Sequence, residues 1–168
     1  TATTMTQREL EFRFETYPPD SILADEIYAD LIDEALKSST VQPKIKLVRG
    51  NKEGWVSYDE LASLSAEADA AKTRSDDLLF CFFTSGTTGL PKRVGHTATS
   101  YPLGHLSTSV MTGVRTEDIH HNLGAPGWAK WAWSSFFTPF NVGATASGFN
   151  FTVLDGDRYL EAIANNKI

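Results

Sequence analysis

Residues Leu78 to Phe83, "LLFCFF", form an unbroken apolar run of six that ends at once in "TSGTTGLPK". A run this short and this uniformly apolar predicts a strand covered on both faces rather than a surface helix. The residues directly after the run constrain the chemistry. Gly86 and Gly89 permit backbone conformations closed to other residues and remove the Cβ that would hold a ligand off the main chain. Thr84, Ser85, Thr87 and Thr88 each add a hydroxyl donor to their backbone N–H. Leu90 and Pro91 lead to Lys92 and Arg93, with Pro91 stiffening the step from hydroxyls to cations. A curl of such donors is a concave nest for anionic oxygens, and a mobile ammonium at Lys92 supplies charge to it. A buried strand, then a polyanion loop, then a helix is how α/β folds hold phosphate at the carboxyl edge of a sheet. The same composition also fits a Thr/Gly-rich surface turn, and the residues by themselves leave both readings open.

Spacing excludes some alternatives. Neither Gly-x-x-x-x-Gly-Lys-Ser/Thr nor Gly-x-Gly-x-x-Gly occurs, so Walker and dinucleotide loops are unsupported. Ser85 lacks the Gly-x-Ser-x-Gly elbow of a hydrolase nucleophile. His120 and His121 are adjacent on an expected strand and face opposite ways, while His96 and His105 have no acidic or Cys partner at ligand spacing, so no metal site is expected. Cys81, inside the apolar run, reads as a small core residue and not a nucleophile.

Around this centre strand and helix patterns alternate. Glu9 to Glu15 alternates apolar and charged, which predicts a half-buried strand ended by Tyr17-Pro18-Pro19-Asp20. From Asp25, Ile27, Leu31 and Ala35 beside Tyr28, Ile32 and Leu36 make a helical stripe, with a solvated acidic face opposite. Ile45 to Gly50 reads as a short strand and turn. Ser57 and Glu60 form a capping box, with Val56 and Leu61 placed as a hydrophobic staple, for a helix from about Tyr58 to Ala68. Ser100 to Met111 reads as a helix that tolerates Pro102 in its first turn. Asp118 to Leu123 reads as a weak strand, and Gly127 to Phe137 as a buried helix ended by Pro139. "GATASGFNF" reads as a further strand, and Asp157 to Asn166 as a last helix with Tyr159, Leu160 and Ile163 inward. The alternation predicts an α/β fold, a largely parallel sheet flanked by helices. Residues 1–20 are assigned to an N-terminal strand segment and 21–168 to a partial domain, because a helix finishes just before Lys167-Ile168, where a parallel sheet expects its next strand.

Bulk properties narrow the class. A net charge of −6 and no cation cluster denser than "PKRV" argue against nucleic acid. The apolar windows are far below membrane-span length, and a single cysteine fits a reducing, cytoplasmic setting.

"FTSGTTGLPKRVGHT" resembles the phosphate-loop signature of the adenylate-forming superfamily, which includes acyl-CoA synthetases, peptide-synthetase adenylation domains and luciferases. "HHNLGAPGWAKWAWSSFFTPFNVGATA" and "GWVSYDEL" are similar to the acetyl- and medium-chain acyl-CoA synthetase branch. The resemblance implies a partial N-terminal domain of such an enzyme. Its reaction joins a carboxylate to ATP, giving an acyl-adenylate and pyrophosphate, and then passes the acyl group to coenzyme A. It implies ATP with Mg²⁺ and coenzyme A as cofactors, and a small carboxylic acid as substrate. The loop Thr84, Ser85, Gly86, Thr87, Thr88, Gly89, Leu90, Pro91 and Lys92 would hold the ATP phosphates. Trp128 and His96 would be substrate-pocket candidates, and Trp131 and Trp133 core.

Arg93 departs from the Gly or Met frequent at its place. The family's aromatic-Gly-x-Thr-Glu and Thr-Gly-Asp motifs and its C-terminal lysine do not occur in the sequence; "LDGD", Leu154 to Asp157, matches neither. No catalytic residue is therefore assigned, and the remainder of the synthetase would be its partner. The alternative is a catalytically inert phosphate-binding module of the same family.

Overall fold

The computed structural model describes residues 4–84, 91–150 and 153–168. It divides into two compact units, one ending at Ala70 and the other beginning at Ala71.

The first unit opens with helix α1 (Gln7–Thr16), where alternation predicts a strand. A capping box decides it. Thr6 Oγ1 accepts from the Glu9 N–H, and the Glu9 carboxylate accepts from the Thr6 N–H at 2.8 Å. Leu10 and Phe14, two apart in the alternation from Phe12, are also four apart from each other and so share a helix face. Leu10 is buried there and Phe14 packs beside it.

Strand β1 (Ser21–Asp25) leads into helix α2 (Glu26–Leu36) and strand β2 (Ile45–Arg49). β1 and β2 pair in parallel from Ser21–Ile45 to Asp25–Arg49, and β2 pairs in parallel with the short β3 (Val56–Ser57). Ile32, Ala35 and Leu36 of α2 join Leu10 as the buried core, whereas Ile27 of the expected stripe is exposed. The acidic face of α2 is paired rather than merely solvated. Asp33 accepts from Lys46 Nζ at 2.7 Å and from the Trp55 indole at 3.0 Å, and the Lys46 ammonium lies 4.9 Å from the Trp55 ring centre. Partial burial would raise the Asp33 pKa, but these donors outweigh it and hold the carboxyl below its ordinary value. The Ser57–Glu60 capping box is present, yet it starts only a 3₁₀ turn, Tyr58–Ser63, shorter than the expected helix.

The second unit begins with strand β4 (Leu78–Thr84), which pairs antiparallel with β5 (Lys92–Thr97). The apolar run is thus a strand, but not covered on both faces: Leu78 and Leu79 are exposed, while Phe80 and Phe82 are half-buried against the Tyr101 ring. Helix α3 (Ser100–Thr112) keeps Pro102 in its first turn and ends on Gly113 at φ 72°, a left-handed cap that favours glycine. Strand β6 (Ile119–His121) pairs in parallel with β7 (Thr145–Ser147).

Between them α4 (Ala129–Ala132) widens into a π-helical stretch, Trp133–Phe137, and re-forms as α5 (Thr138–Phe140). Pro139 is buried inside this run instead of ending it. Proline has no N–H for the helix ladder, and the widened turn ahead of it absorbs the missing bond. Ser109 of α3, fully buried, donates to the Thr138 carbonyl at 2.7 Å and so ties α3 to α5. Helix α6 (Gly156–Asn166) is capped by Asp155, and turns Tyr159 and Ile163 inward while Leu160 remains exposed.

The expected α/β layering with parallel strands and flanking helices is present. The strand at 21–25 has no apolar alternation strong enough to mark it in sequence; its partner β2 supplies what its own pattern lacks.

Candidate functional site

The anion-loop segment is closed by a hairpin. Thr84, the last residue of β4, stands opposite Lys92, the first of β5, and its hydroxyl donates to the Lys92 carbonyl at 3.4 Å. Of the loop residues proposed from sequence, Thr84, Pro91 and Lys92 fall among the described residues; Ser85, Gly86, Thr87, Thr88, Gly89 and Leu90 lie outside them. A strand, not a helix, comes after the loop. Consecutive strand residues face opposite ways, so Lys92 and Arg93 serve different faces of the hairpin. Thr84 and Lys92 are both exposed, which leaves the hydroxyl and the ammonium reachable from solvent at the root of the loop.

Behind the hairpin lies an aromatic cluster centred on Tyr101. Its ring sits 4.9 Å from Phe80 and 5.8 Å from Phe82 of β4, 4.9 Å from His96 of β5, and 5.1 Å from Phe137. Tyr101 is only 3% exposed, and burial pushes its phenol pKa up, so the hydroxyl is a neutral donor. It donates to the Ala129 carbonyl at 3.1 Å. The two substrate-pocket candidates are therefore linked through one residue: His96 touches the Tyr101 ring, and Trp128 immediately precedes the carbonyl that Tyr101 holds. Trp128 itself is 62% exposed. Tyr101 carries no motif of its own; its spacing from the loop places it at the start of α3, which is the signal that could have drawn attention to it.

His105, one turn after Tyr101, packs 4.4 Å from its ring and 5.0 Å from Trp133, with Nδ1 buried and unpartnered among the described residues. Burial, helped by nearby His96, lowers its pKa from the ordinary 6.5. The unfolded chain therefore binds a proton before the folded one does, and stability present above pH 6.5 is lost as pH falls towards the depressed folded value. Urea midpoints are expected to fall below that pH in the natural chain, and to fall less steeply in His105→Phe; parallel pH profiles would contradict this.

His120 and His121 do face apart. His120 Nε2 lies 3.4 Å from Ser134 Oγ, and His121 Nδ1 lies 3.1 Å from the Ser147 carbonyl. Among the described residues no group of three or more His, Cys, Asp or Glu side chains gathers as a metal site, and no helix is long and apolar enough to cross a membrane.

A sequence profile described as AMP-binding enzyme matches residues 1–168. The chain belongs to the AMP-binding enzyme family.

Its relatives in that family include 4-hydroxybutyrate–CoA ligase 1 of Metallosphaera sedula, 46% identical over 98% of this chain and 28% of the relative. Mitochondrial acyl-coenzyme A synthetase ACSM3 of Mus musculus is 32% identical over 84% of this chain and 25% of its own length. Among solved structures, the anthranilate CoA ligase AuaEII, in complex with anthranoyl-AMP, superposes with a TM-score of 0.87 at 21% identity, over 98% of this chain and 32% of that one. That likeness shows the fold. The chain spans roughly a quarter of the length of these two curated relatives.

Proposed function

We propose that this chain is the phosphate-gripping segment of an ATP-dependent acyl-CoA synthetase of cytoplasmic location. The observation that carries the reading is the β4–β5 hairpin, which sets Thr84 beside Lys92 at the two ends of the loop. In the proposed reaction a carboxylate oxygen attacks the α-phosphorus of ATP. The bond to the bridging oxygen of the β-phosphate breaks, and pyrophosphate leaves carrying that electron pair. The thiolate of coenzyme A then attacks the acyl carbon and AMP departs.

Residues 84–92 meet the negative charge that grows on the departing pyrophosphate, with hydroxyl and backbone N–H donors and the Lys92 ammonium. Magnesium, when bound with the nucleotide, would offset phosphate charge. The Trp128 and His96 region is assigned to the carboxylate side, which fits relatives named as ligases of 4-hydroxybutyrate and of acyl groups. The residues that complete the ATP site belong, on this reading, to the rest of a synthetase.

Calorimetric titration of the chain with inorganic pyrophosphate is expected to show binding that Lys92→Ala weakens by about tenfold or more, the usual scale for one charge-assisted contact. A natural chain that binds pyrophosphate no better than Lys92→Ala would overturn the reading. The alternative reading is a catalytically inert phosphate-binding module of the same family. Pyrophosphate–ATP exchange with short carboxylic acids above background would rule that module out.

A further inference from the structure

Tyr101 is unusual in serving both candidate regions at once. Its ring is packed against β4 and β5, the two strands that carry the phosphate loop, through Phe80, Phe82 and His96. Its hydroxyl holds the Ala129 carbonyl, at the first residue of α4 and next to Trp128. The Trp128 carbonyl in turn accepts from the Trp131 N–H at 3.0 Å, and the Ala129 carbonyl accepts from the Trp133 N–H as well as from Tyr101, so the phenol is the bond that ties this helix start to α3. A ring this buried cannot move without displacing its neighbours, because close-packed interiors transmit strain rather than absorb it.

We propose that Tyr101 is a positioning residue that couples occupancy of the phosphate loop to the placement of Trp128. The coupling rests on the phosphate-binding reading given above. An anion that shifts β4 or β5 moves the ring, and the phenol hydroxyl passes that movement to the Ala129 carbonyl. Packing is carried by the ring and the coupling by the hydroxyl, so Tyr101→Phe separates them.

The test compares ¹⁵N-labelled natural chain with Tyr101→Phe, using Trp128→Phe to assign the Trp128 indole signal. Without ligand, Tyr101→Phe is expected to speed hydrogen exchange at the Trp131 amide by about tenfold, the scale of one net hydrogen bond. Unchanged exchange there would overturn the positioning role. With inorganic pyrophosphate, the natural chain is expected to shift both the Lys92 amide and the Trp128 indole signals. Tyr101→Phe keeps the Lys92 response, with its midpoint within about twofold of the natural chain because the hydroxyl bonds the Ala129 carbonyl and, among the described residues, not Lys92, and loses the Trp128 response. A Trp128 response that survives in Tyr101→Phe overturns the coupling. If the natural chain's Lys92 signal does not respond at all, the phosphate reading fails and the coupling with it, while the ligand-free exchange still decides whether Tyr101 positions the Trp128 corner.

Discussion

Tyr101→Ala is expected to destabilise the unit beginning at Ala71 by about 3–5 kcal/mol, the range for truncating a buried aromatic ring. The residue is nearly fully buried and touches rings on β4, β5, α3 and the π-helical stretch, namely Phe80, His96, His105 and Phe137. Deleting it opens a cavity lined by those rings. Fixed in strands and helices, they close it only in part. A domain near 100 residues is stable by about 5–15 kcal/mol, so the loss is a large share of the total. In a thermal melt it corresponds to a drop of roughly 15 °C or more. Tyr101→Phe, which keeps the ring, is expected to lose only about 1 kcal/mol for its hydrogen bond. Equal losses for the two variants would show that the ring cluster contributes nothing of its own.

The matching prediction for the first unit falls on Leu36. It is 3% exposed and packs with Leu10, Ile32 and Ala35, with Phe14 and Trp55 among the partly buried residues at the edge of the cluster. Leu36→Ala is expected to cost about 2–5 kcal/mol. A unit of this size holds only roughly 3–10 kcal/mol, so the variant approaches the point of unfolding. Ile27→Ala, on the same helix but exposed, is expected to change stability by about 0.5 kcal/mol or less. Denaturant unfolding followed by the Trp55 indole NMR signal distinguishes the two, and a Leu36→Ala midpoint equal to that of Ile27→Ala would contradict the assigned core.

These two sites differ in how far they were visible beforehand. Leu36 belongs to a helical stripe that the sequence displays outright, and Ile32 and Ala35 of the same stripe are buried as expected. Ile27, at the start of that stripe, is not buried, because a stripe wider than the available core leaves its edge in solvent. For α1 the local signals conflicted. Leu10, Phe12 and Phe14 satisfy period two, but Leu10 and Phe14 also satisfy a spacing of four, and the Thr6–Glu9 capping box settles the choice for helix.

The loop motif announced itself through residue types, since hydroxyls, glycines and a Pro-Lys step are chemistry written directly in sequence. The strand that leaves it did not, because "KRVGHT" has weak alternation and becomes a strand by pairing with β4. Pro139 misled for a related reason. A proline reads as a stop, yet a π-helical turn ahead of it carries the helix through.

The family of the chain, the α2 core stripe, the parallel strand–helix alternation and the anion-loop residue types were determined by the sequence alone. Each depends on side chains within one short segment, or on a motif of fixed spacing. The tertiary structure alone decided that the loop hangs on an antiparallel hairpin, that Lys92 and Arg93 serve different faces, and that Tyr101 joins the loop strands to the Trp128 corner. Those are pairings between segments as much as 28 residues apart, as from the Tyr101 hydroxyl to the Ala129 carbonyl. No local period encodes such a contact; it exists because strand pairing and ring packing bring the partners together.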